Sequence, residues 1–292
     1  MPTTAFTVLA ADGARITAYK ALPAGRPRAV VQLAHGMAEH AGRYRRLAEA
    51  LTAAGYAVYS NDHRGHGASA AAHGLGEFGP GGFQSLVDDL VAVSRVAQAE
   101  TPNTPLILIG HSMGSFAAQL YLLEHHGHLT GLVLSGTAAV DALAAASAAA
   151  RREVGMVSMN AGFAPARTDF DWLSRDEAEV DAYIADPLCG FALADEAMAS
   201  VMQMAATARH DPRLASVRGD LPVYVISGEH DPVTGPSQAF VKALLGSWRA
   251  AGLSRLDHRV YPGGRHEMFN ETTRDEVTAD LIAWLDRTTS GS

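Results

Sequence analysis

Hydrophobic and polar positions change rhythm several times along the 292-residue chain. Over residues 3–10 and 14–21, Phe6, Val8, Ile16 and Ala18 alternate with polar side chains around Asp12-Gly13. That is the pattern of a half-buried hairpin. From residue 29 the alternation gives way to short, continuous apolar runs at 29–34, 56–60, 105–109 and 129–135. Runs of this length, rich in β-branched residues, predict strands buried on both faces. Between them lie stretches with helical spacing. In 44–54, Tyr44, Leu47, Ala48, Leu51 and Ala54 fall on one face and Gly55 closes the segment; a second helix is expected over 83–99. Strand alternating with helix predicts a mostly parallel sheet covered by helices on both sides.

The alternation stops near Thr137. Residues 138–215 hold no good strand, are rich in alanine and methionine, and carry helix-start signals at Asp141, at a capping box Ser174-Arg-Asp-Glu177, and at Asp195. At Leu221 the buried-strand pattern resumes, followed by a helix over 236–250, a strand over 255–261, a glycine-rich loop and a last helix over 272–287. The expected organisation is therefore α/β: a core domain made of residues 1–137 and 216–292, with 138–215 inserted as a helical cap over the strand ends.

Composition narrows the function. At 48% hydrophobic and 18% charged residues the chain can bury a sizeable core. A formal charge of −8 provides no basic footprint, so no nucleic acid partner is expected. The single cysteine, Cys189, excludes an intrachain disulfide and suits a reducing compartment. No signal-like N-terminus or bilayer-spanning run is present, so a cytoplasmic location is expected, with the cap free to touch a membrane surface transiently.

The chemistry concentrates at Gly110-His111-Ser112-Met113-Gly114, placed between a predicted strand and a predicted helix. In that context Gly-x-Ser-x-Gly forms a nucleophile elbow, whose tight turn leaves no room for Cβ atoms at the glycines. The alternative is an ordinary capping serine in a glycine-rich turn. A serine hydroxyl needs a base, and two later stretches offer partners: Asp231 past one strand and His266 past another. Glu229 is a rival for the carboxylate. The order Ser112, Asp231, His266 is the one an α/β-hydrolase uses.

Other residues invite weaker readings. His125, His126 and His128 fall at the end of the elbow helix, where successive side chains diverge too far to share a metal. His266-Glu267-Met268-Phe269-Asn270 lacks the second histidine of a zinc-protease helix. No metal and no cofactor are expected. Asp62, His63 and His66 read as a tight structural loop, His111 as a packing residue, and Asp88-Asp89 as solvated charge; Glu39 and His40 read equally as mouth-lining or loop-bracing groups. Met156, Met159, Met198, Met202 and Met204 read equally as an adaptable acyl-chain lining and as filler between cap helices.

Four stretches carry a family resemblance: His35-Gly-Met-Ala-Glu-His-Ala-Gly-Arg-Tyr44, Asp62-His-Arg-Gly-His-Gly67, Gly110-His-Ser-Met-Gly114, and Asp231 with His266. The chain resembles serine hydrolases of the α/β-hydrolase fold, and among them the monoacylglycerol lipase and lysophospholipase group. Ser115 departs from the group, where a second glycine often follows the elbow. The resemblance implies Ser112 as nucleophile, His266 as base and Asp231 as orienter. The backbone N–H groups of Met37 and Met113 would hold the oxyanion, leaving both methionine side chains free to line the acyl pocket. It implies hydrolysis of monoacylglycerols or related medium- and long-chain monoesters. A lysophospholipase, with Arg151, Arg152 or Arg167 toward the phosphate, and a short-chain carboxylesterase are the near alternatives. A non-hydrolytic small-ligand binding protein on the same fold is the alternative of a different class.

Overall fold

The structure, a computed structural model, describes residues 3–149 and 156–290, apart from the side chains of Met156 and Val157. The described strands are β1 (Thr4–Leu9), β2 (Arg15–Ala21), β3 (Val30–Ala34), β4 (Ala57–Asn61), β5 (Leu106–His111), β6 (Gly131–Ser135), β7 (Val223–Gly228) and β8 (Leu256–Tyr261). They form one sheet in the order β1-β2-β4-β3-β5-β6-β7-β8. The β1–β2 hairpin and the β2–β4 pair are antiparallel, and every pairing from β4 to β8 is parallel. The helices are α1 (Arg45–Ala53), α2 (Gly82–Glu100), α3 (Met113–His125), α4 (Val140–Ala149), α5 (Met156–Met159), α6 (Glu177–Ala185), α7 (Asp195–Ala208), α8 (Ala239–Ala250) and α9 (Arg274–Thr289). This is the α/β-hydrolase arrangement expected from the sequence.

The continuous apolar runs are explained by burial on both faces. Leu106 and Leu108 of β5 enter one core with Leu132, Leu134, Val223 and Val225, while Ile107 and Ile109 enter the other with Val133, Tyr224 and Ile226. That is the period-two alternation of a pleated strand, hidden in the sequence because both faces are apolar. Helices α1 and α9 cover the second face through Leu47, Leu51, Val277, Leu281 and Trp284. Helices α2, α3 and α8, together with residues from 138–215, cover the first. Helix α3 is buried at every position from Met113 to Leu123, because it lies between β5 and α7.

Register fixes where chemistry can occur. Gly110 pairs with Ala34 on one side and Leu134 on the other, so β3, β5 and β6 end together. Parallel strands put their ends, and the loops that follow, along one edge. The loops after β3, β5, β7 and β8 carry His35–His40, Ser112, Asp231 and His266 in turn. Residues 138–215 enter between β6 and β7 as helices and turns without a described strand.

Three local expectations change. Tyr44 closes a 3-10 turn of residues 41–44 instead of opening α1, which begins at Arg45. Asp176, not Ser174, caps α6 by accepting from Ala178 N–H; Ser174 Oγ donates instead to Asn270 O, 2.9 Å away. Asp89 is not solvated. It is 1% exposed and holds the buried Arg64 guanidinium through two bonds of 2.8 and 2.9 Å. A buried charge requires such a partner, and the partner lies 25 residues away. Among the described residues no helix is long and apolar enough to cross a membrane.

Candidate active site

Ser112 follows β5 at φ +51° and ψ −122°, a backbone conformation that a side-chain-bearing residue rarely adopts. The turn closes only because its flanks are glycine. A Cβ on Gly110 would lie 2.5 Å from Gly114 O, and one on Gly114 would lie 2.3 Å from Ala34 O. The elbow is braced from below: Ser112 N–H donates to Ser135 O at 2.9 Å, and Ser115 Oγ donates to Ser112 O at 2.6 Å. Ser115 therefore secures the turn with its own hydroxyl, which also lies 2.9 Å from Thr137 Oγ1.

His266 follows β8 and is buried. Its Nδ1 lies 2.9 Å from Asp231 Oδ1, and the carboxylate is itself aimed by Val233 N–H, also at 2.9 Å. Asp231 thus fixes the ring, so that Nδ1 carries the proton and Nε2 is the basic nitrogen. Nε2 makes no hydrogen bond among the described residues. Burial alone would depress the imidazole pKa, but the carboxylate of Asp231, then Glu267 and Glu39, raise it above its ordinary value. The Trp172 ring lies tilted against His266 with centroids 4.8 Å apart, and His111 lies against it at 4.7 Å. His111 is held neutral by burial. The rival Glu229 is exposed and accepts from Gly263 N–H.

Ser112 and His266 both line one narrow, mostly apolar cleft. Met37, Met159, Met198 and Met202 line it, with Phe116, Leu143 and Val201. Met113 does not: its side chain is fully buried in the core, so only Met37 of the two elbow-facing methionines reaches the cavity. The side chain of Met156 lies outside the described residues, as do Arg151 and Arg152. Arg167 is paired with Asp181 at 2.7 Å. Among the described residues the amide N–H groups of Met37 and Met113 carry no intrachain hydrogen bond. Met113 is also the first residue of α3, where the helix leaves its N–H groups free.

The loop after β3 is built by histidines and by acids. His35 Nε2 accepts His63 N–H at 2.9 Å, and His63 Nε2 lies 3.0 Å from His35 O, so Asp62–His66 is scaffolding outside the cleft. Glu39 lines the cavity and braces the loop at once, accepting from Gly36 N–H and from Tyr44 Oη. His40 bonds Asp186 at 2.9 Å, joining the loop to the end of α6. Sequence reading gave no role to Arg43 or Glu267. Arg43 bridges Glu39 and Glu267, and no periodicity reveals a pairing across 224 residues. The three histidines at 125–128 form no metal-ligand group among the described residues.

Fold and site together define an α/β-hydrolase. The chain belongs to the family described as "Serine aminopeptidase, S33" (Hydrolase_4), which residues 25–273 match. It is 34% identical to the monoacylglycerol lipase of Mycolicibacterium smegmatis over 94% of this chain and 93% of that one. It is 27% identical to the human monoglyceride lipase over 96% and 89%. The crystal structure of a highly thermostable carboxyl esterase from Bacillus coagulans, in complex with glycerol, superposes with a TM-score of 0.86 at 27% identity, covering 99% of both chains. The chain is an ester hydrolase of the α/β-hydrolase class.

Proposed function

We propose that the protein hydrolyses monoacylglycerols or related medium- and long-chain monoesters through a Ser112–His266–Asp231 triad and an acyl-enzyme. One observation carries this reading. The strained serine and the Asp231-anchored imidazole of His266 line one cleft whose other walls are mostly apolar. Residues 138–215 act as a cap, since Leu143, Met159, Met198, Val201 and Met202 furnish its upper wall.

In the first half-reaction Ser112 Oγ attacks the ester carbonyl carbon while His266 Nε2 takes the hydroxyl proton. The carbonyl electron pair moves to oxygen, and the N–H groups of Met37 and Met113 receive that oxyanion. Each such donor is worth about 3 kcal/mol in the transition state. The C–O bond to the alcohol then breaks and the imidazolium returns its proton to the departing oxygen. Water repeats the sequence on the acyl-enzyme and restores Ser112. Asp231 stays ionised and stabilises the imidazolium.

The family description names a peptidase, yet the cleft favours esters. A peptidase selecting a free amino terminus needs an unengaged carboxylate, and the two acids lining this cleft, Glu39 and Glu267, are both committed to Arg43. The test is a panel of p-nitrophenyl esters from acetate to palmitate, beside 1-monoacylglycerols, lysophosphatidylcholine and amino-acyl nitroanilides. Highest kcat/KM on medium- or long-chain monoesters, abolished in a folded Ser112→Ala variant, is expected. Preference for acetate alone, or full turnover without the hydroxyl, would overturn the proposal.

A further inference from the structure

The cleft contains a buried ion cluster that the triad does not use. Arg43 Nη1 donates to Glu39 Oε2 at 2.8 Å and also to Glu267 Oε1; Arg43 Nη2 donates to Glu267 Oε2 at 2.8 Å. The three side chains are 10%, 3% and 5% exposed for Arg43, Glu39 and Glu267. Two carboxylates on one guanidinium leave a net charge of −1. Burying that charge is costly unless other groups satisfy it.

Each acid sits on a different catalytic loop. Glu39 Oε1 accepts Gly36 N–H, the residue before Met37, so it sets the peptide that presents the Met37 amide. Glu267 directly follows His266, and the N–H of each is pinned to a carbonyl of Trp172 or Leu173. Arg43 therefore ties the loop holding one proposed oxyanion donor to the loop holding the base. Its guanidinium is capped by the Tyr183 ring at 4.8 Å.

We propose that Glu267, clamped by Arg43 against Glu39, is a positioning residue that fixes the two loops as one unit and holds negative charge beside His266. This rests on His266 being the base. The groups acting on that imidazole are Asp231 from the β7 loop, His111 from the elbow, Glu39 from the β3 loop and Glu267 beside it, with Arg43, Tyr44 and Tyr183 packed behind the two glutamates. His111 is held neutral, as are the phenols of Tyr44 and Tyr183, whose pKa burial raises. The cluster is thus the main charge besides Asp231. Negative charge favours the imidazolium that forms as serine attacks.

The experiment is Glu267→Gln, which keeps shape and one acceptor while removing the charge. A weaker imidazole base titrates lower, so the acid limb of kcat/KM should move down by roughly half to one pH unit. The plateau kcat should fall about tenfold, with KM within about twofold. Active sites are counted with an organophosphonate, so misfolded protein cannot mimic the loss. The His266 imidazole is titrated separately by NMR. A merely structural role lowers the active fraction but leaves both midpoints in place, and that result overturns the proposal. Where Glu267→Gln does not fold, Glu39→Gln removes the same charge from the other side of Arg43: a downward shift supports the proposal and an unmoved midpoint overturns it. Failure of the triad reading looks different, since turnover would then be independent of Ser112 in the wild-type background.

Discussion

At the scale of single residues, the buried imidazoles behind the β3 loop set an acid limit on stability. His35 and His63 lie tilted against each other with centroids 4.1 Å apart, and the His66 ring lies 5.3 Å from His35. Burial pushes His63 down to about 3 and His66 to about 4, and His35 also lies well below the ordinary value. A folded-state pKa below the unfolded value of about 6.5 means that the unfolded chain binds protons that the native state refuses. Their stabilising contribution is complete above that value. It is lost as pH falls toward 4, at a slope approaching about 1.4 kcal/mol per pH unit for each residue. His266 has the opposite sign: its raised pKa adds stability below the unfolded value, which is lost as pH rises through the folded one. The histidines outnumber it, so urea unfolding at pH 7, 6 and 5 should show a net steep decline. Replacing His66 by Phe, between Phe78 and Phe191 at 6.1 and 5.1 Å, should flatten that decline even if it lowers the stability at pH 7. An unchanged slope would mean that His66 is protonated in the folded state.

At the scale of elements, the segment from Trp172 to Gly190 is not a loose flap over the site. Ala38, in the β3 loop at φ +53°, has its carbonyl held by Tyr183 Oη at 2.9 Å and by Gly190 N–H at 3.0 Å. The base loop leans on Trp172 O and Leu173 O, and Arg175 and Arg274 add bonds to Glu271 and Asp176. Helix α6 and its flanks thus hold both catalytic loops. Tyr183→Phe removes one of two bonds on a strained residue, a loss of about 1 kcal/mol. If that loss falls on the transition state, kcat should drop about fivefold with KM nearly unchanged, as steady-state kinetics on a soluble ester would read. A change in KM alone would place Tyr183 in substrate binding instead. These elements also mark the limit of sequence reading. Helix periodicity and turn residues located α1, α2, α8 and α9 to within a few positions, because those signals are local. The Ser174 box failed because the hydroxyl found a distant acceptor in Asn270, and the Asp89 and Arg43 pairings were invisible for the same reason.

At the scale of the molecule, the strands are marked by a buried apolar rhythm broken by glycine turns, which is why the α/β architecture was legible in the sequence, while the proposed triad of Ser112, Asp231 and His266 rested on motif and chain order. What the rhythm left open was whether the methionines of 138–215 filled a core or walled a cavity, since both environments are apolar. Met159, Met198 and Met202 line the cleft, each half-buried beside core residues such as Ala197 and Val201, so they serve both environments at once. Size selection follows from that placement. Methionine fits irregular apolar contours, and each methylene it helps to bury is worth about 0.8 kcal/mol. Replacing Met202 by Trp would fill space that the distal acyl chain would occupy while leaving Ser112 and His266 untouched. If four methylenes lose their site, the loss is about 3 kcal/mol, or roughly a hundredfold in kcat/KM. Esters too short to reach Met202 should be hydrolysed as before. The expected result is a ratio of laurate to butyrate ester hydrolysis that falls by one to two orders of magnitude (about 1.4 kcal/mol for each) with butyrate turnover preserved. Equal losses on both esters would instead mean that the cap wall shapes the reacting centre, and the acyl chain would then have to lie elsewhere.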